Sequence, residues 1–276
     1  MTPWIDIVRD PLPGRRGKPR TSGLTMVIDT GLAPGTVRDI VESAGDWIDY
    51  WKFGFGTSAL YSLDVLRSKM DVLSTSGIVP YPGGTLFEIA LHQGNADRLL
   101  EKARELGFKC IEISDGTIEM DAPIRRKWIR EAKRRGFLVL TETGKKRAGL
   151  TMSVEQYATQ LAEDLACGAD YAILEGRESG RNVGFYRSDG SILEEEIGRL
   201  MERLPSPDRV IWEAPQKSQQ EFFLRKLGVN VNLGNIPATE VIALEALRRG
   251  LRSDTLRLVL EPDGRSHSPL MAGIQF

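Results

Sequence analysis

Charged or amide residues recur in this sequence at the ends of short apolar runs. Asp29, Lys52, Glu112 with Asp115 close behind it, Glu142, Glu175, Glu213 and the pair Asn232 and Asn235 all stand in such positions. Any one of them could simply mark the chain's exit into solvent or cap a following helix. Brought together by a fold, the set could do chemistry. Six carboxylates at one mouth would repel each other and raise each other's pKa unless positive charge sat among them. Lys52, Lys145, Lys146, Arg177, Arg181 and Lys217 lie in the same or adjoining segments and can supply part of that charge. A bound cation can supply the rest. All-oxygen ligation suits a hard ion, and a site that also accepts phosphate or carboxylate oxygens suits Mg²⁺. His92 and His267 are the only histidines, far apart in sequence, which excludes a His-rich zinc site and a His-based triad.

The loops beside these residues favour anions. Gly176–Arg181 (GRESGR) offers two guanidinium groups among small residues, and arginine suits bidentate recognition of phosphate or carboxylate. The segments from Ala214 (APQKSQQ) and from Asn232 (NLGNIPAT) lead into helices whose free N–H groups attract negative charge.

Positioning these residues requires alternating elements. The short apolar runs are Leu24–Asp29, Ile48–Phe53, Val79–Pro82, Cys110–Ser114, Phe137–Glu142, Tyr171–Glu175, Val210–Glu213 and Val229–Leu233. Amphipathic segments follow them at Pro34–Ala44, Ala59–Ser74, Leu86–Leu106, Ala122–Arg135, Val154–Cys167, Ile192–Arg203, Ser218–Leu227 and Ala238–Arg248. Nearly continuous apolar strands belong to parallel sheets covered on both faces. Gly107, Gly136, Gly168 and Gly228 stand where helices should end before the next strand. Eight strand–helix pairs predict a single (β/α)8 TIM barrel, whose site would lie at the C-terminal ends of the strands. A doubly wound open sheet competes, but the GxGxxG turn that often marks it is absent. The barrel is expected over residues 24–258, after an irregular N-terminal arm (1–23, rich in Pro, Gly and Arg) and before an irregular C-terminal tail (259–276).

Composition narrows the function classes. At 276 residues the chain is long enough for one barrel, and 41% hydrophobic with 27% charged residues suits a globular enzyme. A formal net charge of −1 gives no reason to expect nucleic acid or an anionic membrane as partner. No apolar run is long enough to span a bilayer and no secretory leader is evident, so a cytoplasmic protein is expected. Cys110 and Cys167 read as small buried packing residues.

Seven strings carry a closer likeness: KFGFGTS (52–58), YPGGTLFE (81–88), EISDGT (112–117), LTETGKK (140–146), ILEGRESG (173–180), WEAPQKSQQ (212–220) and LEALRRGLRSDT (244–255). Together they resemble the phosphosulfolactate synthase family over essentially the whole body. The resemblance implies a Mg²⁺-dependent lyase that adds sulfite to phosphoenolpyruvate, giving (2R)-phospho-3-sulfolactate for coenzyme M or sulfolactate biosynthesis. It also implies a homo-oligomer, with a trimer among the assemblies expected. By motif match it implies Lys146 or Lys145 as the general acid, with Lys52 also in the catalytic machinery. Glu142, Glu175 and Glu213, joined by Asp115 and Glu112, are the implied metal ligands. Arg177, Arg181, Lys217, Ser114 and Asn235 are the implied substrate contacts. Two other readings carry different tests. A Schiff-base aldolase would be trapped by borohydride. A non-catalytic stress-associated relative would be expected to have lost the Glu and Lys tips, which are present here.

Overall fold

The apolar runs form eight parallel strands in a computed structural model that describes residues 3–4, 6–148 and 152–260. They are β1 (Thr25–Asp29), β2 (Tyr50–Phe53), β3 (Val79–Pro82), β4 (Cys110–Ser114), β5 (Leu138–Thr143), β6 (Tyr171–Leu174), β7 (Val210–Glu213) and β8 (Asn232–Pro237). The helices are α1 (Pro34–Ala44), α2 (Leu63–Thr75), α3 (Gly84–His92), α4 (Ala96–Glu105), α5 (Ala122–Arg134), α6 (Val154–Cys167), α7 (Glu194–Arg203), α8 (Lys217–Leu227), α9 (Val241–Arg248) and α10 (Ser253–Leu260). The strand order β3-β2-β1-β8-β7-β6-β5-β4 brings β3 and β4 side by side, which makes this the (β/α)8 barrel the sequence predicts.

Alternation within each strand sorts side chains into two cores. Met26, Tyr50, Tyr81, Cys110, Leu140, Ile173 and Ile211 pack together inside the barrel. Their neighbours Val27, Trp51, Ile111, Val139, Ala172 and Trp212 pack outward against the helices. One step further along the inner parity stand Lys52, Glu112, Glu142, Glu175 and Glu213. The interior therefore changes from apolar to charged toward its C-terminal mouth.

The seam between β3 and β4 has no ladder in the strand pairing, and the sequence of β3 explains it. Val79 and Gly83 donate their N–H groups to Asp49 and Phe53 on the β2 side. The intervening positions that would donate toward β4 are Pro80 and Pro82, which have no N–H. The start of α3 fills the gap instead: Gly84 N donates to Glu112 Oε1 at 2.8 Å. A Cβ on Gly84 would lie 2.4 Å from that oxygen, so only glycine allows this approach.

Four expectations need correction. The predicted helix Leu86–Leu106 is two helices, because the chain turns at Gly94 with φ of 71°. The helix expected from Ala59 starts at Leu63, where the Ser62 hydroxyl caps it. The eighth strand is Asn232–Pro237 and not Val229–Leu233. Val231 N closes a turn onto Gly228 O, and the carbonyls of Val229 and Val231 accept from buried Arg248 instead of pairing in the sheet. Finally, the tail expected from residue 259 begins as helix, since α10 runs to Leu260; residues 261–276 lie outside the described residues. The described residues of the arm form no helix or strand, and they are fastened to the barrel through Arg15 to Glu245 and Arg20 to Asp49, both at 3.0 Å. Cys110 is buried and Cys167 only partly so.

Candidate active site at the barrel mouth

The inner-parity charges open onto a cavity of about 90 Å³ lined by Ile28, Lys52, Glu112, Glu142, Lys146 and Glu175, with Phe55, Thr85, Arg177, Glu178 and Asn235 completing the wall. At its floor the Lys52 ammonium lies 3.1 Å from Glu112, 3.0 Å from Glu142 and 3.2 Å from Glu213. Burial alone would lower the pKa of Lys52. The three carboxylates outweigh burial and hold it well above the usual lysine value, so Lys52 is a fixed cation.

The carboxyls divide. Burial, only partly offset by Lys52, pushes Glu112 up to about 7. At Glu142 burial is overcome by the ammonium groups of Lys146 and Lys52, which hold this carboxyl well below its usual range. Burial and the neighbouring Glu142 and Glu213 push Glu175 well above that range. Glu213 is raised too, by burial against the opposing pull of Lys52. Backbone N–H groups orient three of these side chains: besides Gly84 to Glu112, Gly176 donates to Glu213 at 2.8 Å and Arg177 to Glu175 at 2.7 Å.

Glu142, Glu175 and Glu213 each present one oxygen, and the three oxygens lie within 4.8 Å of one another. They are buried and converge from three consecutive strands, and once all three are ionised they outnumber the ammonium groups of Lys52 and Lys146. This donor set fits a hard divalent cation.

Lys146 reaches the mouth from the loop after β5. Its ammonium is 3.2 Å from Glu142, 3.8 Å from Glu88 and 3.9 Å from Glu175, and donates to Thr85 Oγ1 at 3.3 Å. The carboxylates around Lys146 decide its charge. Burial does lower the pKa of Lys146, but Glu142 and Glu175 raise it more, so the group is held protonated.

The other expected site residues are spread more widely. Ser114 is in the cluster, its hydroxyl 2.6 Å from Glu88 and 3.1 Å from Glu142. Arg177 and Asn235 line the cavity, both in the left-handed region with φ of 57° and 51°, and Asn235 Oδ1 is buried without a hydrogen-bond partner. Arg181 is exposed and not among the lining residues. Lys217 is turned away, its ammonium 2.7 Å from Asp254 on α10. Asp115 is not brought to the three glutamates; its carboxylate is taken by Arg125 and Lys145, each at 2.9 Å. Asp29 likewise faces the helix layer, 2.5 Å from Lys69 of α2. Asp29 and Asp115 each follow an inward residue (Ile28, Ser114), so strand parity alone would have placed them outside. Glu88 and Thr85 are the members that sequence reasoning missed. Glu88 is buried on α3 and accepts from Ser114 Oγ and, at 3.0 Å, from Thr117 N. Its signal was a lone acid in the apolar stretch Leu86–Leu91.

Comparison with known proteins now adds to this geometry. Residues 13–254 match the family described as (2R)-phospho-3-sulfolactate synthase. The chain is 46% identical over 246 residues to "Phosphosulfolactate synthase" of Methanothermobacter thermautotrophicus, covering 88% of this chain and 95% of the relative. It is 39% identical over 249 residues to the protein of that name in Bacillus subtilis, covering 90% and 97%. Among solved structures it is similar to DHDPS from Cyanidioschyzon merolae, with a TM-score of 0.56 at 12% identity over 87% of this chain and 80% of that one. That last likeness is one of fold alone.

Proposed function

This chain belongs to the (2R)-phospho-3-sulfolactate synthase family and is an enzyme of the lyase type; on that premise we propose that it adds sulfite to phosphoenolpyruvate to give (2R)-phospho-3-sulfolactate. The observation that carries the reading is the convergence of Glu142, Glu175 and Glu213 on one point, with Glu142, Glu175 and the protonated Lys146 lining the cavity.

In this reading sulfur attacks the methylene carbon of phosphoenolpyruvate. The C–S bond forms as the C=C π bond breaks, and the electron pair passes through the adjacent carbon onto the substrate carboxylate. Glu142, Glu175 and Glu213 would hold Mg²⁺, which supplies positive charge where that carboxylate becomes more negative. Lys146 then gives its proton to the carbon bearing the phosphate ester, which completes the addition and sets its stereochemistry. Its carboxylate neighbours keep it charged until that step. Lys52 bridges Glu142 and Glu213 and opposes their protonation, Glu112 bonds the start of α3, and Arg177 at the cavity wall suits a phosphate oxygen. The Asn235 amide faces the same space, and its unpaired oxygen and left-handed backbone suit a residue held for a ligand.

No helix among the described residues is long and apolar enough to cross a membrane. We read the chain as cytoplasmic and homo-oligomeric, with exposed Leu60, Leu63 and Ile89 supplying apolar surface for assembly. The product would serve coenzyme M or sulfolactate formation.

The test is consumption of phosphoenolpyruvate by purified, metal-stripped protein. Turnover is expected only when both sulfite and Mg²⁺ are added. Consumption without sulfite, or none under any of these conditions, would contradict the reading.

A further inference from the structure

Two lysines stand side by side after β5, and the structure gives them different work. Lys145 has three N–H donors, and all three are used: Asp115 Oδ2 at 2.9 Å, Asp115 O at 2.8 Å and Ile118 O at 3.0 Å. None is left for a substrate. Asp115 is in turn fixed by Arg125 Nη1 at 2.9 Å. Arg125, buried on α5, also donates through Nη2 to the backbone oxygen of Glu142 at 3.0 Å and clasps Asp164 of α6 at 2.6 Å.

This network ends on Lys146. The Lys146 N–H donates to Gly116 O at 2.9 Å. The alkyl chain of Lys146 lies along Gly116, where an added Cβ would meet Cγ at 3.0 Å and both Cδ and Cε at 3.1 Å. The Asp115–Gly116 step therefore grips Lys145 by its side chain and Lys146 by its backbone and stem, leaving only the Lys146 ammonium free to face the cavity.

We propose that Arg125, Asp115 and Lys145 form a positioning clamp that aims Lys146 at the reacting carbon. This rests on the reading above, in which Lys146 delivers the proton. Lys145 is then a positioning residue and not a second acid, and Asp115 anchors it and is not a metal ligand. A displacement of about 1 Å at a reacting group can cost on the order of 10²-fold in rate, so a loop held at four points matters to turnover.

The experiment compares Lys145→Met, Lys145→Arg, Lys146→Met and the double variant Lys145→Met/Lys146→Met in the full chain, with steady-state kinetics, Mg²⁺ titration and thermal unfolding for each. Lys145→Met is expected to lower kcat by roughly 10- to 100-fold while KM and Mg²⁺ affinity stay within about twofold. Lys145→Arg should recover part of kcat, because a guanidinium can still reach the Asp115 carboxylate. The double variant should be no slower than Lys146→Met alone, since Lys145 acts through its neighbour. Gly116→Ala, which pushes on the Lys146 stem without touching a charge, should lower kcat in the same selective way. Wild-type kcat in Lys145→Met beside an inactive Lys146→Met overturns the clamp alone, as does a double variant slower than either single one. A fully active Lys146→Met overturns the acid assignment and the clamp with it.

Discussion

Two groups of buried charges lie only one strand position apart in parity, and they are built on opposite principles. In the outer group Asp29 pairs with Lys69, while Asp115 and Asp164 share Arg125 with Lys145 close by. Charges there are matched. Asp29 also accepts from Gly31 N, Leu32 N and Trp51 Nε1, so its lone pairs are used. In the inner group five buried carboxyls, Glu88, Glu112, Glu142, Glu175 and Glu213, share the ammonium groups of Lys52 and Lys146. Matched buried pairs hold a structure together, and removing one partner strands the other. An unmatched cluster costs stability by itself and persists where a ligand completes it. The outer group is scaffold and the inner one is a site.

Substitutions can break this contrast, beginning with the largest effect. Glu142→Gln is expected to cut turnover on the order of 10³-fold and to weaken cation binding, and it also lowers stability, because Lys52 and Lys146 lose the carboxylate they hold ionised. Kinetics alongside thermal unfolding would check it, and an active Glu142→Gln would remove the distinction. Asp29→Ala should act on stability alone. It leaves Lys69 charged and buried, which destabilises by about 3–5 kcal/mol, while the protein that remains folded keeps its turnover. Denaturant unfolding measures that loss, and replacing both partners by apolar residues of similar size should restore much of it.

Acidity sharpens the same contrast at a smaller scale. Glu112 titrates near its ordinary value of 4.5 when unfolded and at about 7 when folded. The folded state then binds more protons across that window, so the metal-free protein loses stability as pH rises from about 4.5 to 7, by up to about 1.4 kcal/mol per pH unit for one carboxyl. The raised Glu175 and Glu213 act in the same direction. Glu142, held low, contributes stability above about 4.5 that is lost as pH falls below it. Mg²⁺ should flatten the decline on the alkaline side, and unfolding curves at several pH values with and without the ion would show whether it does. The smallest effect is at Lys217. Its exposed pair with Asp254 is screened by water, so Lys217→Ala should leave both KM and Tm unchanged, and a raised KM would return Lys217 to the substrate contacts.

Much of the fold was legible because strand length and apolar character set it locally. Seven of the eight runs became strands within about two residues, and the glycines at 107, 136, 168 and 228 take positive φ where helices end. The eighth strand was misplaced because Val229 and Val231 look β-branched and apolar yet close a turn under Arg248. For the site, period-two counting places Lys52, Glu112, Glu142, Glu175 and Glu213 on one side, and the same counting rejects Asp29 and Asp115. Glu88 and Thr85 could not be found this way, because they reach the mouth from a helix that enters through the proline-interrupted seam. Nor does the sequence distinguish Lys145 from Lys146. That difference depends on which carbonyls the folded loop offers to each ammonium.

The claim on which the rest depends is that the unmatched inner carboxyls await a cation. Isothermal titration of metal-stripped protein with Mg²⁺, repeated in buffers of different ionisation enthalpy, tests it directly. One ion per chain should bind with release of protons from the raised carboxyls, and binding should fail in Glu142→Gln, Glu175→Gln and Glu213→Gln while surviving in Asp115→Asn. No saturable binding, or binding that none of the three glutamate substitutions weakens, would contradict it.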